Sequence, residues 1–273
     1  SEFALEQYLT DRTLGISLGA PWIFRKPFIE RFHGRLINGH GTRLPRNRGG
    51  ATFSWQLMRG DYSGCHLFHL IDGGIDTGPI IFSNEFMFPE TCRTPIDFQR
   101  VYRDTEIDFF GSFFAKIRAG EEFTVTQQDE HVSTYFPRLS TLHNGYINWE
   151  WSAEEIARFI SAFDEPYEGA STFHLGERVF LHGASATSFD GTFHPFMSGL
   201  VYRNFEGALS IAARDGSVVV RRVVREGGED ITNRIRAGAR FVTPREILDA
   251  ALAYIAQYDA RGLRISHDTP RTP

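Results

Sequence analysis

Between Leu36 and Ile80 the chain reads LINGHGTRLPRNRGGATFSWQLMRGDYSGCHLFHLIDGGIDTGPI, two apolar runs separated and followed by glycine-rich stretches. A short apolar run that ends in polar residues reads as a buried strand presenting side chains at its tip, and residues two apart on a strand share a face. Arg35-Leu36-Ile37 therefore directs Asn38 and His40 into one small cavity, the first as a hydrogen-bond donor to a carbonyl oxygen, the second as a base. The second run, Cys65 to Ile71, ends in Asp72-Gly73-Gly74-Ile75-Asp76-Thr77-Gly78, a turn able to fold a carboxylate back towards that histidine. Asp76 is the candidate. An amide, an imidazole and a carboxylate so placed suit an acyl-transfer site.

Asn-x-His at Asn38 and His40, Leu-Pro-x-x-Arg-Gly from Leu44 to Gly49, and Asp-Thr-Gly from Asp76 to Gly78 together resemble the signature of the folate-dependent formyltransferase superfamily. The resemblance implies a Rossmann-like α/β domain and transfer of a formyl group from 10-formyltetrahydrofolate to an amine. It makes Asn38, His40 and Asp76 the catalytic triad, with Asn38 facing the developing oxyanion, His40 taking the amine's proton and Asp76 orienting the imidazole. By position in the family, Trp22, Ile23 and Phe24 line one side of the pterin slot, with Asp72 and Gly73 on the other. Gly41-Thr42-Arg43 departs from the Pro-Ser-Leu of methionyl-tRNA formyltransferases. Asn47-Arg48-Gly49, with Trp55 beyond, is closer to sugar N-formyltransferases. A nucleotide-linked amino sugar is thus the expected acceptor. Methionyl-tRNA is the alternative, followed by hydrolysis of the donor or a non-catalytic pterin- or partner-binding module. Arg46 or Arg48 is expected to bind a phosphate or to orient the loop bidentately.

A formal net charge of −5 and a pI near 6.1 argue against a generic polyanion binder, while leaving a local basic patch open. No apolar run approaches the ~18 residues of a membrane span and no charged-then-apolar leader opens the chain, so no membrane partner and a cytoplasmic location are expected. Two cysteines, Cys65 and Cys92, provide neither a disulfide framework nor a paired-cysteine metal spacing. His66 and His69 lie three apart on one strand, face opposite ways and cannot ligate one metal; both read as packing or edge residues, and no metal is expected.

The 273 residues divide into an expected catalytic domain at 1–120, a linker at 121–149, a helix and OB-like barrel at 150–263, and a disordered tail at 264–273. Helix-like spacing is read at Ser1 to Leu9, followed by a buried strand at Thr13 to Leu18. A superfamily domain has βα units of ~30 residues each before that strand; these are not in the sequence, so truncation or a shortened, partner-dependent domain is expected. Thr94-Pro95 starts a long helix to Arg118, and Ser152 with Glu155 forms a capping box before another. From Ser171 to Arg225, short alternating runs between glycines predict a small antiparallel β barrel. Arg221, Arg222 and Arg225 there form a basic strand, which reads first as a charged outer face and second as a nucleic-acid contact. A homo-oligomer is left open.

Overall fold

A computed structural model describes residues 7–20, 22–259 and 262–264. Strand β1 (Gly15–Leu18) is followed by helix α1 (Lys26–Glu30), β2 (Leu36–His40), the short β3 (Arg48–Gly49), α2 (Thr52–Arg59), β4 (Ser63–Leu70), β5 (Ile80–Met87) and α3 (Pro95–Ala119). The four longer strands form one sheet in the order β1-β2-β4-β5. The α/β architecture is as expected, with one correction: the sheet is mixed. Only β1 and β2 run parallel, while β2 with β4 and β4 with β5 are antiparallel. The reason for the last pair is the shortness of the Asp72–Gly78 turn, since a connection of that length joins antiparallel neighbours only.

One face of this sheet packs on α3. Ile37 and Phe68 meet Phe109 and Phe113 in a small, largely aromatic core. α3 is closed at its start by Asp97, whose carboxylate accepts from the Thr94 N–H at 3.0 Å. The other face carries Ser17, Asn38 and His69, which the register sets directly opposite one another across β1, β2 and β4. β1 is less enclosed than a buried strand should be, with Ser17 buried and Leu18 56% exposed.

Beyond α3 the segment read as a linker is stitched to the first sheet. Thr126 bridges Ile80, and β6 (Tyr135–Phe136) pairs in parallel with β3. Helix α4 (Ala153–Ala162) begins at the expected capping box, with the Glu155 carboxylate accepting from the Ser152 N–H at 2.8 Å. There follow β7 (Ala170–His174), β8 (Glu177–Thr187), β9 (Val201–Phe205), β10 (Ala208–Ala213), β11 (Gly216–Arg225) and β12 (Phe241–Val242), then helix α5 (Arg245–Ala253). The six strands make a curled antiparallel sheet in the order β12-β7-β8-β11-β10-β9, whose two ends are bridged at Leu200 and Arg240. The largest core joins α4 and the inner side of this sheet to residues of the first half, so that Ile156, Ile160, Val179 and Leu209 lie in one cluster with Leu57, Phe88 and Phe98.

The helix expected at Ser1 to Leu9 lies largely outside the described residues; of its three described positions, Gln7 and Tyr8 form a turn and Leu9 is irregular. Of the tail expected at 264–273, Arg264 ends a short strand, Gly262–Arg264, and the rest lies outside the described residues. No helix among the described residues is long and apolar enough to cross a membrane.

Candidate active site

The cleft lies on the open face of the mixed sheet, at the strand tips, and encloses about 320 Å³. Asn38 and His40 reach it from the end of β2, as the two-residue period requires. Asp76 reaches it from the β4–β5 turn in the left-handed region, with φ of 54°. Of the residues expected to hold a pterin, Trp22, Ile23, Phe24 and Asp72 line the cleft; Gly73 does not, and its neighbour Gly74 does. The Asp72 carboxylate is occupied in shaping the turn, accepting from the Gly74 N–H at 3.0 Å and from the Thr77 hydroxyl at 2.5 Å.

His40 is 7% exposed and held by one nitrogen. Its Nε2 lies 2.7 Å from the Asn47 carbonyl oxygen, which can only accept, so the ring proton sits on Nε2. The Thr42 hydroxyl lies 3.0 Å from the same nitrogen. Nδ1 then carries the lone pair, 3.7 Å from Asp76 Oδ2, too far for a hydrogen bond and close enough for charge to act. Burial lowers the His40 pKa; Asp76 and the Asn47 carbonyl push it back up without cancelling the effect, and His69 adds to the lowering. Burial raises the Asp76 carboxyl, but His69, His40 and the Gly49 N–H, which donates to Oδ2 at 2.9 Å, outweigh it and hold the group below its ordinary range.

Asn38 is already engaged. Its Nδ2 lies 3.2 Å from His69 Nε2 and 3.4 Å from Asp76 Oδ1, both long contacts that a bound carbonyl oxygen can replace. His69 Nδ1 donates to the Leu70 carbonyl at 2.8 Å, and its Nε2 lies 3.4 Å from Asp76 Oδ1 as well as near the Asn38 amide. His69 therefore belongs to the site, not to packing. Its ring faces opposite to His66, as expected, and His66 stacks between Phe86 and Phe109.

The two loop arginines separate cleanly. Arg48 is buried, forks onto Glu130 at 2.9 and 2.6 Å and also bonds Gln128, so it is a loop-orienting residue. Arg46 is exposed and lies outside the cleft lining. The cation that does line the cleft is Arg138, from the segment read as a linker. Sequence reasoning missed Arg138, His69 and Gln128. Gln128 sits in a polar stretch with no periodicity, Arg138 follows the short run Tyr135-Phe136-Pro137, and His69 is placed by a cross-strand register that no local pattern reports. Among the described residues no group of three or more His, Cys, Asp and Glu side chains is arranged to hold a metal.

The fold is thus of the two-part α/β class, a mixed sheet with an amide, imidazole and carboxylate at its strand tips followed by a curled antiparallel sheet. The sequence matches the family model described as formyl transferase over residues 21–99 and that of the formyl transferase C-terminal domain over residues 140–237. The chain belongs to the formyltransferase superfamily. It is 29% identical over 195 residues to the methionyl-tRNA formyltransferase of Stenotrophomonas maltophilia strain K279a, an overlap covering 71% of this chain and 62% of that one. Similarity to the enzyme of the same name from Xanthomonas euvesicatoria is 29% over 207 residues, 76% of this chain and 66% of the relative. The chain thus spans 62% to 66% of these relatives' lengths. The N-formyltransferase of Helicobacter canadensis, solved with folinic acid and dTDP-3-aminofucose, shares the fold at a TM-score of 0.60 and 22% identity, over 84% of this chain and 77% of that one. WlaRD, a sugar 3N-formyl transferase solved with dTDP and 5-N-formyl-THF, shares it at 0.57 and 22%, over 85% and 74%.

Proposed function

We propose that this chain transfers a formyl group from 10-formyltetrahydrofolate to the primary amine of a nucleotide-linked amino sugar. The observation that carries the reading is the convergence of Asn38, His40 and Asp76 on one cleft of about 320 Å³, a volume within the range of small-ligand sites. The cleft also has the chemistry for a pterin: apolar walls from Trp22, Ile23, Phe24, Ile71 and Ile75, with backbone polar groups of the turn between them. Those residues would hold the donor, which supplies a carbonyl carbon open to attack by an amine.

The residues of the chain then divide the work. Asn38 donates from Nδ2 to the oxygen on which negative charge builds, in exchange for its long contacts to His69 and Asp76. His40 accepts the amine's proton at Nδ1, the nitrogen its Asn47 bond leaves free. Asp76, ionised, stabilises the cation that results. The solved relatives carrying dTDP support a nucleotide sugar as acceptor, as does Arg138 on the cleft lining, a cation placed to meet a phosphate.

Methionyl-tRNA is the second reading, favoured by the identity of the curated relatives. Against it, two of the three arginines of the basic strand are paired: Arg222 with Glu165, and Arg225 with Glu177 and Glu229. Incubation with 10-formyltetrahydrofolate and either a panel of dTDP- and UDP-linked amino sugars or methionyl-tRNA decides between them. Gain of one formyl group by a sugar, lost in His40→Ala, supports the first reading. Formylation confined to the tRNA selects the second, and donor consumption without an acceptor selects hydrolysis.

A further inference from the structure

We propose that Gln128 is the positioning residue that holds Asp76 in place opposite His40. The proposal deepens the formyl-transfer reading and rests on it only for its kinetic arm. Asp76 occupies the left-handed region, with φ of 54°. A non-glycine residue is uncommon there and persists where its surroundings hold it.

Gln128 imposes it. Its Nε2 donates to the Asp76 carbonyl at 2.8 Å and to the Gly78 carbonyl at 2.6 Å, tying down the turn on both sides of Thr77. Its Oε1 accepts from Arg48 Nε at 3.1 Å and Nη2 at 2.9 Å. Both protons and both lone pairs of the amide are thereby used. Arg48 leads directly into Gly49, whose N–H donates to Asp76 Oδ2 at 2.9 Å. Asp76 is gripped at its carbonyl by Gln128 and at its carboxylate by the loop that Gln128 anchors. A glutamine joining two loops through four bonds is a brace, and the element braced is the one carboxylate that faces His40 Nδ1.

The groups around the His40 ring are Asp76 from the turn, His69 from β4, and the Asn47 carbonyl and Thr42 hydroxyl from the loop after β2. Of these only Asp76 carries a fixed negative charge, so the protonation of His40 reports where that carboxylate lies. The experiment follows the His40 imidazole resonance by NMR against pH in the wild type, in Gln128→Met and in Gln128→Asn, with His40→Ala supplying the assignment. Gln128→Met keeps the length and removes all four bonds; Gln128→Asn keeps the amide but is too short to span both loops.

The expected result is a His40 midpoint lower by about half a pH unit or more in both variants, because burial still opposes the charge and its counterweight has moved. Melting temperatures and circular dichroism establish that the variants are folded. If Gln128→Met does not fold, Gln128→Asn alone gives the same reading. A midpoint unmoved in a folded variant overturns the proposal. In the transfer assay the same variants lower kcat by about tenfold or more with little change in the acceptor's KM. A wild type that formylates nothing defeats the functional reading, and the titration then still decides the role of Gln128.

Discussion

His40 donates from Nε2 to the carbonyl oxygen of Asn47 at 2.7 Å, and this single bond decides which nitrogen can act as a base. With the ring proton fixed on Nε2, only Nδ1 is free, and Nδ1 is the nitrogen that faces Asp76. The loop from Gly41 to Asn47 therefore sets the tautomer, and the β4–β5 turn supplies the charge. Neither does both.

The pH profile of kcat/KM tests this directly. On the proposed mechanism His40 must be neutral to act, and burial lowers its pKa below the ordinary 6.5. Activity is expected to fall as pH drops through that depressed value, so the acid limb of the profile is centred below 6.5. An acid limb centred above neutrality refutes neutral His40 as the base.

Replacement of the three converging residues separates their roles. His40→Ala removes the proposed base, with an expected loss of about 10²–10⁴-fold in kcat. Asn38→Ala removes the proposed oxyanion donor, for about 10²–10³-fold. Asp76→Ala is expected to cost activity through His40, and to shift the acid limb further down because the carboxylate raises the His40 pKa. All three are measured beside melting temperature. Full turnover in folded His40→Ala removes the mechanism.

Arg48 and Arg46 are two residues apart in sequence and are expected to behave oppositely. Arg48→Ala strips the fork from Glu130 and leaves the Gln128 oxygen without its donors, at a cost of about 1–3 kcal/mol in stability. Arg46 is exposed, and Arg46→Ala is expected to lie within about 0.5 kcal/mol of the parent. Urea denaturation of both variants measures the difference, and equal midpoints refute the assignment.

Gly49 allows no side chain. Its φ is 103°, and a Cβ there would run into the carbonyl of Phe136 across the β3–β6 pairing. Gly49→Ala is expected to lose more than about 3 kcal/mol, and to lose activity with it because the same residue's N–H holds Asp76. Expression and melting temperature of the variant measure the first effect. A soluble variant of parental stability contradicts it.

What could be read from the sequence follows from the range of the interactions involved. Asn38 and His40 were legible because their common face depends on a two-residue period, and Asp76 because a glycine-rich turn is a local object. The antiparallel unit was legible for the same reason: its alternation and its turns at Gly176 and Gly207, both at positive φ, are short-range signals. Strand direction was not, because β2 and β4 are separated by a helix and their pairing is settled by packing. His69 became a site residue only through its register opposite Asn38. The 121–149 stretch looked like a linker since its polar residues make their bonds to distant loops: Gln128 lies fifty-two residues from Asp76 and eighty from Arg48. The choice between Arg46 and Arg48 turned on which of them meets Gln128 and Glu130, 80 and 82 residues further on, which composition does not encode.

His66 predicts how the fold itself responds to acid. It is fully buried, stacked against Phe86 and Phe109, and bonded through Nε2 to the Thr105 hydroxyl at 2.8 Å. Thr105 donates its own proton to the Val101 carbonyl, so it receives one from His66, which is accommodated neutral. Burial pushes the His66 pKa from 6.5 down to about 4. Between those values the unfolded chain binds a proton that the folded chain refuses, so stability falls as pH falls through that window. Above 6.5 the residue is neutral in both states and contributes no slope. His66→Phe retains the ring in its aromatic setting and cannot be protonated. It is expected to flatten the decline between neutrality and about pH 5, at the cost of the Thr105 bond, about 1 kcal/mol at neutral pH. Urea midpoints at the two pH values measure both quantities, and an acid decline as steep as the parent's would place the sensitive group elsewhere.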